Sequence, residues 1–370
     1  MSLTANGRPP FRADHIGSLL RPASLRDAFR QFAAGTLGEA GFRRVQDEAI
    51  REVIRLQEDA GLQVVTDGEF RRASYWGRFV SLIDGLVIRS SQFIFHDDHG
   101  NEAQFTAPHV ASRVRRRASI GLEEFRFVKP LTGAVPKITM PAPSTMHYWR
   151  VGDWRQSRIY RDAAEFFADL GKIYRQEIAE LAEAGCQYVQ LDEVALANLC
   201  DPAARDRARS LGADPAALVD LYITAINETV RDLPPSMVVG VHMCRGNFKG
   251  KYLSEGGYES IADKLFNNAR VNHFLLEYDT PRAGDFAPLR FLPADKGAVL
   301  GLVSSKVRQL ETLEVLKRRA AEAAQFVDPA RLAISPQCGF ASTVAGNPVT
   351  QADEVAKLRL CVEAAEVIFG

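Results

Sequence analysis

The sequence has no surplus of either charge: 46 Lys and Arg balance 46 Asp and Glu, a formal net charge of zero. A dedicated nucleic-acid binder normally carries a basic excess, so that class is disfavoured. No apolar run approaches the roughly 18 to 20 residues of a bilayer span, so no membrane crossing is expected. The opening Met1–Pro10 lacks the apolar core of a secretory signal. There is no low-complexity linker and no strong short-period repeat. Cysteine is sparse and odd in number, with Cys186, Cys200, Cys244, Cys338 and Cys361 scattered along the chain. In a protein this long they read as reduced thiols and not as a disulfide framework, which makes a cytoplasmic setting the expectation.

What is present is ample apolar material: 46% hydrophobic residues against 25% charged ones. A length of 370 residues suits one α/β barrel carrying an insertion. After an opening segment Phe11–Gly17, β-branched runs recur at Leu62–Thr66, Val135–Met140, Gln187–Leu191, Met237–Met243, His273–Tyr278, Ala298–Val303 and Leu332–Ser335. Longer helical patterns separate them. Val45, Ala49, Val53 and Leu56 follow one helical face, Asp214-Pro215 reads as an N-cap with proline at the first helical position, and a last helix is expected over 352–369. Asp328-Pro329 makes a similar tight entry before the last strand. The expected fold is a single-domain (β/α)8 TIM barrel over 1–370, with an antiparallel hairpin excursion at 86–127 after the second strand. The run His96-Asp97-Asp98-His99-Gly100-Asn101 reads as its solvated tip.

In such barrels the C-terminal strand ends form the active site. Here those ends carry His15-Ile16-Gly17-Ser18, Asp67-Gly68-Glu69, Asp192-Glu193, His242-Met243-Cys244, Glu277 and Gln337-Cys338. The i,i+2 spacing of His242 and Cys244 puts both on one face of an extended strand end. With Glu277 at the end of the next strand and Cys338 following the last, the four predict one metal site. Two thiolates and an imidazole favour zinc over magnesium or calcium, and a displaceable carboxylate would leave the site open to substrate. The plainer alternative is that His242 and Cys244 are ordinary buried residues. Cys186 and Cys361 read as core, and Cys200 has no evident role. Glu69 and Asp192 suit an ammonium group, or else pair with Arg71 or Arg72.

Ile16-Gly17-Ser18, Asp67-Gly68-Glu69-Phe70-Arg71-Arg72, Val189-Gln190-Leu191-Asp192-Glu193, His242-Met243-Cys244, Leu276-Glu277 and Pro336-Gln337-Cys338-Gly339 together carry a resemblance. The chain resembles the catalytic C-terminal barrel of cobalamin-independent methionine synthases, and more closely their short stand-alone relatives, over nearly its whole length. The resemblance implies zinc on His242, Cys244, Glu277 and Cys338. It also implies that Ile16, Ser18, Glu69 and Asp192 hold the amino-acid part of a homocysteine-like thiol.

The expected function is therefore a zinc-dependent thiol S-methyltransferase of methionine biosynthesis. Its partners would be a small-molecule thiol and a methyl or alkyl donor, with homo-oligomerisation left open. The donor half departs from the family. A pterin-stacking tryptophan is missing near Thr139–Ser144, a further acid is replaced by Asn198, and the proton-donating histidine is replaced by Val303. His15 and His147 are the candidate substitutes as proton donor, each with a structural alternative. Phe70, Tyr75 and Trp76 are candidates for shaping the donor pocket. Competing expectations are alkyl transfer from an epoxide to another thiol such as coenzyme M, a non-catalytic zinc-binding barrel, or lyase chemistry related to uroporphyrinogen decarboxylase. Because oxygen is a harder and weaker ligand for zinc than sulfur, Cys244→Ser is expected to lose metal and activity together. Metal analysis of the purified variant checks this, and full zinc content with normal turnover would refute it.

Overall fold

The computed structural model describes residues 3, 7–155 and 158–370, so Met1, Ser2 and 4–6 of the opening decapeptide lie outside the described residues. It shows an α/β fold built on a curled, wholly parallel seven-stranded sheet with a separate antiparallel pair. The sheet strands are β1 (Val64–Val65), β4 (Val135–Pro141), β5 (Tyr188–Glu193), β6 (Val238–Met243), β7 (His273–Glu277), β8 (Gly297–Val303) and β9 (Leu332–Pro336). They lie in chain order, β1 at one end and β9 at the other. The long helices between them, such as Glu39–Asp59, Ala163–Glu183 and Pro215–Thr229, follow from apolar residues at helical spacing and from caps. Asp162 and Asp214 each accept a backbone N–H from the first turn, and Thr350 with Asp353 forms a capping box for Gln351–Phe369. Asp328-Pro329 opens only a three-residue 3₁₀ turn, Pro329–Arg331.

The opening segment is not the regular strand expected. Only Ala13 forms a parallel bridge, to Ile334 of β9. Consecutive prolines at 9 and 10 remove two backbone donors, and Gly17 adopts φ +115°, where its missing Cβ leaves room beside Thr139. Side chains make the remaining connections. Lys137 Nζ donates to Asp14 Oδ1 (2.7 Å), Gln190 Oε1 (2.9 Å) and the His15 carbonyl. Gln190 Nε2 donates to the Ile16 carbonyl (2.7 Å), and Thr66 Oγ1 to the Gly17 carbonyl (2.7 Å). Tyr188 completes the buried network by donating to Asp14 Oδ2 at 2.6 Å. Burial pushes the Asp14 carboxyl up, but Lys137, His15 and the Tyr188 hydroxyl together outweigh it and hold Asp14 below the usual range.

The excursion also differs from expectation. Its antiparallel pair is β2 (Ile83–His96) with β3 (Glu102–Arg116), after which Leu122–Val128 is helical. Nor is it a free, solvated hairpin. His96 exchanges two backbone hydrogen bonds with Tyr252 (2.8 and 2.9 Å), Lys251 pairs with Asp97, and Arg282 meets Asp98 at 3.3 Å. Of the three histidines in the excursion only His99 is exposed, while His109 Nδ1 lies 3.3 Å from Asp153. Alternation along β2 turns Phe93 and Phe95 inward, and Phe105 of β3 joins them in the main apolar core.

All five cysteines are free and buried. Among the described residues no helix is long and apolar enough to cross a membrane.

One buried acid ties the last helix to the opening loop. Glu354 Oε2 accepts the Leu20 N–H at 2.8 Å, Oε1 has no partner among the described residues, and burial pushes the carboxyl up to about 8. A carboxyl raised in this way contributes stability that is full below its unfolded value and lost as pH rises through the folded one. Glu354→Gln, neutral throughout, should gain on the wild type as pH rises from about 5 to about 9, by a few kcal/mol at the top of the range. Urea midpoints across that range check this, and a pH-independent difference would refute it.

Candidate active site

The parallel register of β5 and β6 sets Asp192 directly beside His242, with Glu193 beside Met243. His242 has its Nδ1 against the Leu275 carbonyl of β7 at 3.2 Å. Its Nε2 is buried and finds no hydrogen-bond partner among the described residues. Two residues on, the Cys244 sulfur lies 3.7 Å from the Cys338 sulfur, which the loop after β9 supplies. One donor atom from each of His242, Cys244 and Cys338 lies within 4.8 Å of the others. Two thiolates on one tetrahedral zinc, with Zn–S bonds of about 2.3 Å, place their sulfurs about 3.8 Å apart. An imidazole fixed at Nδ1, a free Nε2 and two sulfurs at that spacing form a donor set that fits a soft metal ion.

Glu277 is not in that group. Its Oε2 accepts the Arg245 N–H at 2.5 Å, and its Oε1 lies 3.3 Å from Lys306 Nζ. Burial pushes this carboxyl up, but Lys306 and Arg245 outweigh it and hold it below the usual range. Arg245 is itself buried, donating to the Gly256 carbonyl and stacked 4.2 Å over Tyr258.

One cavity of about 40 Å³ is lined by Ile16, Ser18, Glu69, Asp192, His242, Cys244 and Cys338. Glu69 takes φ +61°, a left-handed conformation costly for a residue with a Cβ. Arg21 holds it there, donating to the carbonyls of Glu69 (2.8 Å), Arg72 (2.9 Å) and Ala341 (2.7 Å). Thr139 donates to Glu69 Oε1 at 2.7 Å and Arg72 stands 3.5 Å away, shared with Glu124, while Glu69 Oε2 has no partner among the described residues. Asp192 Oδ1 accepts from Gln190 at 2.7 Å, and burial together with the Glu69 charge pushes its carboxyl up to about 7. Ser18 packs against Gly339, where any Cβ would meet its Oγ at 1.9 Å.

Neither candidate proton donor lines this cavity. His15 turns its Nε2 toward the Val64 carbonyl (3.3 Å), and burial with the Lys137 charge pushes its pKa down to about 3. His147 makes a 2.8 Å hydrogen bond to Tyr222 among Trp154 and Phe167, and burial lowers it to about 3 as well. Val303 is fully buried in β8, and Asn198 Oδ1 accepts from Ser254. Of the aromatic cluster at 70–76, only Tyr75 reaches the cavity.

The residues not anticipated are those of the roof. Phe95 and Phe105 of the hairpin, with Trp149, close the cavity above the sulfurs. Their rings touch: Phe105 and Trp149 centroids are 5.3 Å apart, Phe95 and Phe105 5.3 Å, Phe95 and Trp149 6.1 Å. Gly246, at φ +89°, lies so close beneath that a Cβ would stand 2.7 Å from the Phe95 ring. In sequence the only signal was apolar alternation in the excursion, which does not say what the inward face covers.

Comparison with known proteins agrees with this architecture. The cobalamin-independent synthase catalytic domain matches residues 11–367. The uncharacterised Bacillus subtilis proteins YxjH and YxjG are each 36% identical, over 98% of this chain and 96% of their own. A methionine synthase of Pyrococcus horikoshii is 28% identical over 88% of this chain and 85% of its own. Among solved structures, a Listeria monocytogenes protein assigned as a vitamin-B12-independent methionine synthase superposes with TM-score 0.74 at 28% identity, covering 98% of this chain and 99% of its own. A Shewanella B12-independent methionine synthase in complex with selenomethionine gives 0.74 at 21% identity, over 96% and 97% of the two chains, and so speaks to the fold. The chain belongs to the cobalamin-independent methionine synthase catalytic-domain family.

Proposed function

We propose that the protein is a cytoplasmic, zinc-dependent thiol S-methyltransferase, a single-domain closed (β/α)8 barrel over 1–370 whose inserted β2–β3 hairpin roofs the active site. The barrel reading is supported by the Ala13–Ile334 bridge at one edge and the Thr66–Gly17 hydrogen bond at the other, which bring the opening segment between β9 and β1. One observation carries the chemistry: the unpartnered Nε2 of His242 shares its surroundings with two sulfurs 3.7 Å apart.

His242, Cys244 and Cys338 would hold zinc, with Glu277 as the displaceable fourth ligand once Lys306 releases it. When bound, zinc would remove the proton of an incoming thiol, which a free thiol near pKa 8.5 mostly keeps at neutral pH, and so supply the nucleophile. The chain's own residues orient that thiol. Glu69 Oε2, free of hydrogen bonds, and Asp192 would take the ammonium of a homocysteine-like substrate, while Ile16 and Ser18 bound the other side of its amino-acid part. Arg21 and Gln190 act behind them by fixing Glu69 and Asp192 in place. The aromatic roof excludes water from the sulfur that is to react.

Asp192→Asn removes a charge-assisted contact to the ammonium, so homocysteine binding should weaken about tenfold to a hundredfold while zinc content stays at one per chain. Calorimetric titration and metal analysis of the same preparation check both. Unchanged affinity would remove Asp192 from substrate binding. Cys338→Ala with undiminished zinc would remove Cys338 from the metal site.

A further inference from the structure

The roof and the lining together say what kind of methyl donor the cavity suits, an inference that rests on the thiol-transfer reading above. Among the residues lining the cavity there is no lysine or arginine, whereas Glu69 and Asp192 are both there. The same lining holds four aromatic residues, Tyr75, Phe95, Phe105 and Trp149. Cation–π attraction makes such a wall favourable to a compact alkylated cation, by about 0.5–1 kcal/mol when exposed and about 2 when desolvated. With the two carboxylates committed to the thiol's ammonium, an anionic donor would find no lysine or arginine in the lining to pair with. His242 is the only imidazole there, and His15 and His147 turn away from the cavity, so no histidine is placed to protonate an amine leaving group.

We propose that the donor is a methyl-onium compound, a sulfonium or quaternary ammonium ion whose charged head rests under Phe95, Phe105 and Trp149. Transfer then needs no acid. The thiolate sulfur forms a bond to the methyl carbon as the bond from that carbon to the onium atom breaks. The bonding pair stays with the onium atom, and the donor leaves as a neutral thioether or tertiary amine with no proton moved. At about 40 Å³ the closed cavity holds little more than water, so entry requires the hairpin to lift. At its tip this would part the partly exposed pairs Lys251–Asp97 and Arg282–Asp98, which separate at little cost, together with the two backbone hydrogen bonds and the ring contact between His96 and Tyr252.

Choline and 3,3-dimethylbutan-1-ol share a shape and differ in the charge of the head, so they isolate the cation preference. Zinc-loaded protein with homocysteine should bind choline at least about tenfold more tightly than the neutral alcohol. Trp149→Leu should bring the two to parity without changing zinc content, and Trp149→Phe should restore part of the difference. Phe95→Leu, on the hairpin, is the second variant should the buried Trp149 prove needed for folding. Trimethylsulfonium and homocysteine should yield methionine and dimethyl sulfide. Equal binding of choline and the alcohol, or selective choline binding with no methyl transfer from trimethylsulfonium, would overturn the donor assignment. Choline selectivity in a protein that takes up neither zinc nor homocysteine would instead overturn the thiol-transfer reading and leave the cation pocket standing.

Discussion

The Lys137 ammonium is the constraint on which the site depends. It is buried where the opening segment meets β4 and β5, with Asp14, Gln190 and a main-chain carbonyl around it. The opening segment has almost no ladder of its own, so these contacts set where Ile16 lies, and the Phe340 N–H on the Ser18 carbonyl and the Leu19 N–H on the Gly68 carbonyl hold the next two residues. An unpaired charge at such a depth costs about 3–5 kcal/mol, which makes the pair a poor source of net stability and a strong selector of one arrangement. Gln190 extends the selection upward, since one amide nitrogen serves both the Ile16 carbonyl and the Asp192 carboxylate. The loop and the acid are therefore set by the same group.

Above this polar floor the chemistry divides by element. Neighbouring strands β5 and β6 supply Asp192 and His242, the loop after β9 supplies Cys338, and the excursion supplies the apolar cover. Glu69 is kept in an unfavourable backbone conformation by the buried Arg21 guanidinium, which also reaches the loop holding Ala341. Backbone strain of this kind persists when its surroundings over-determine it, and three carbonyls gripped by one side chain do that here.

Much of the framework was legible in the sequence because buried parallel strands are apolar runs and helices announce themselves by spacing and caps. The strand ends were legible for the same reason, and they carry Ser18, Glu69, Asp192, His242, Cys244 and Cys338, which line one cavity. The opening segment misled because its apolar residues suggest a ladder, whereas only Ala13 forms a bridge and Gly17 turns the chain away at φ +115°. Glu277 shows a second limit: its place at a strand end is readable, but its grip by Lys306 depends on a side chain 29 residues away. The roof was hidden altogether. An alternating hairpin has an inward face whatever lies beneath it, and His96 meeting Tyr252 across 156 residues leaves no local trace.

Gly246 gives that roof its height. The Phe95 ring occupies the space a side chain at 246 would need, so how closely the hairpin comes down on this loop depends on one missing carbon. Among related chains, the residue at this position should mark how closely the corresponding hairpin can approach, and so how much room is left beneath it.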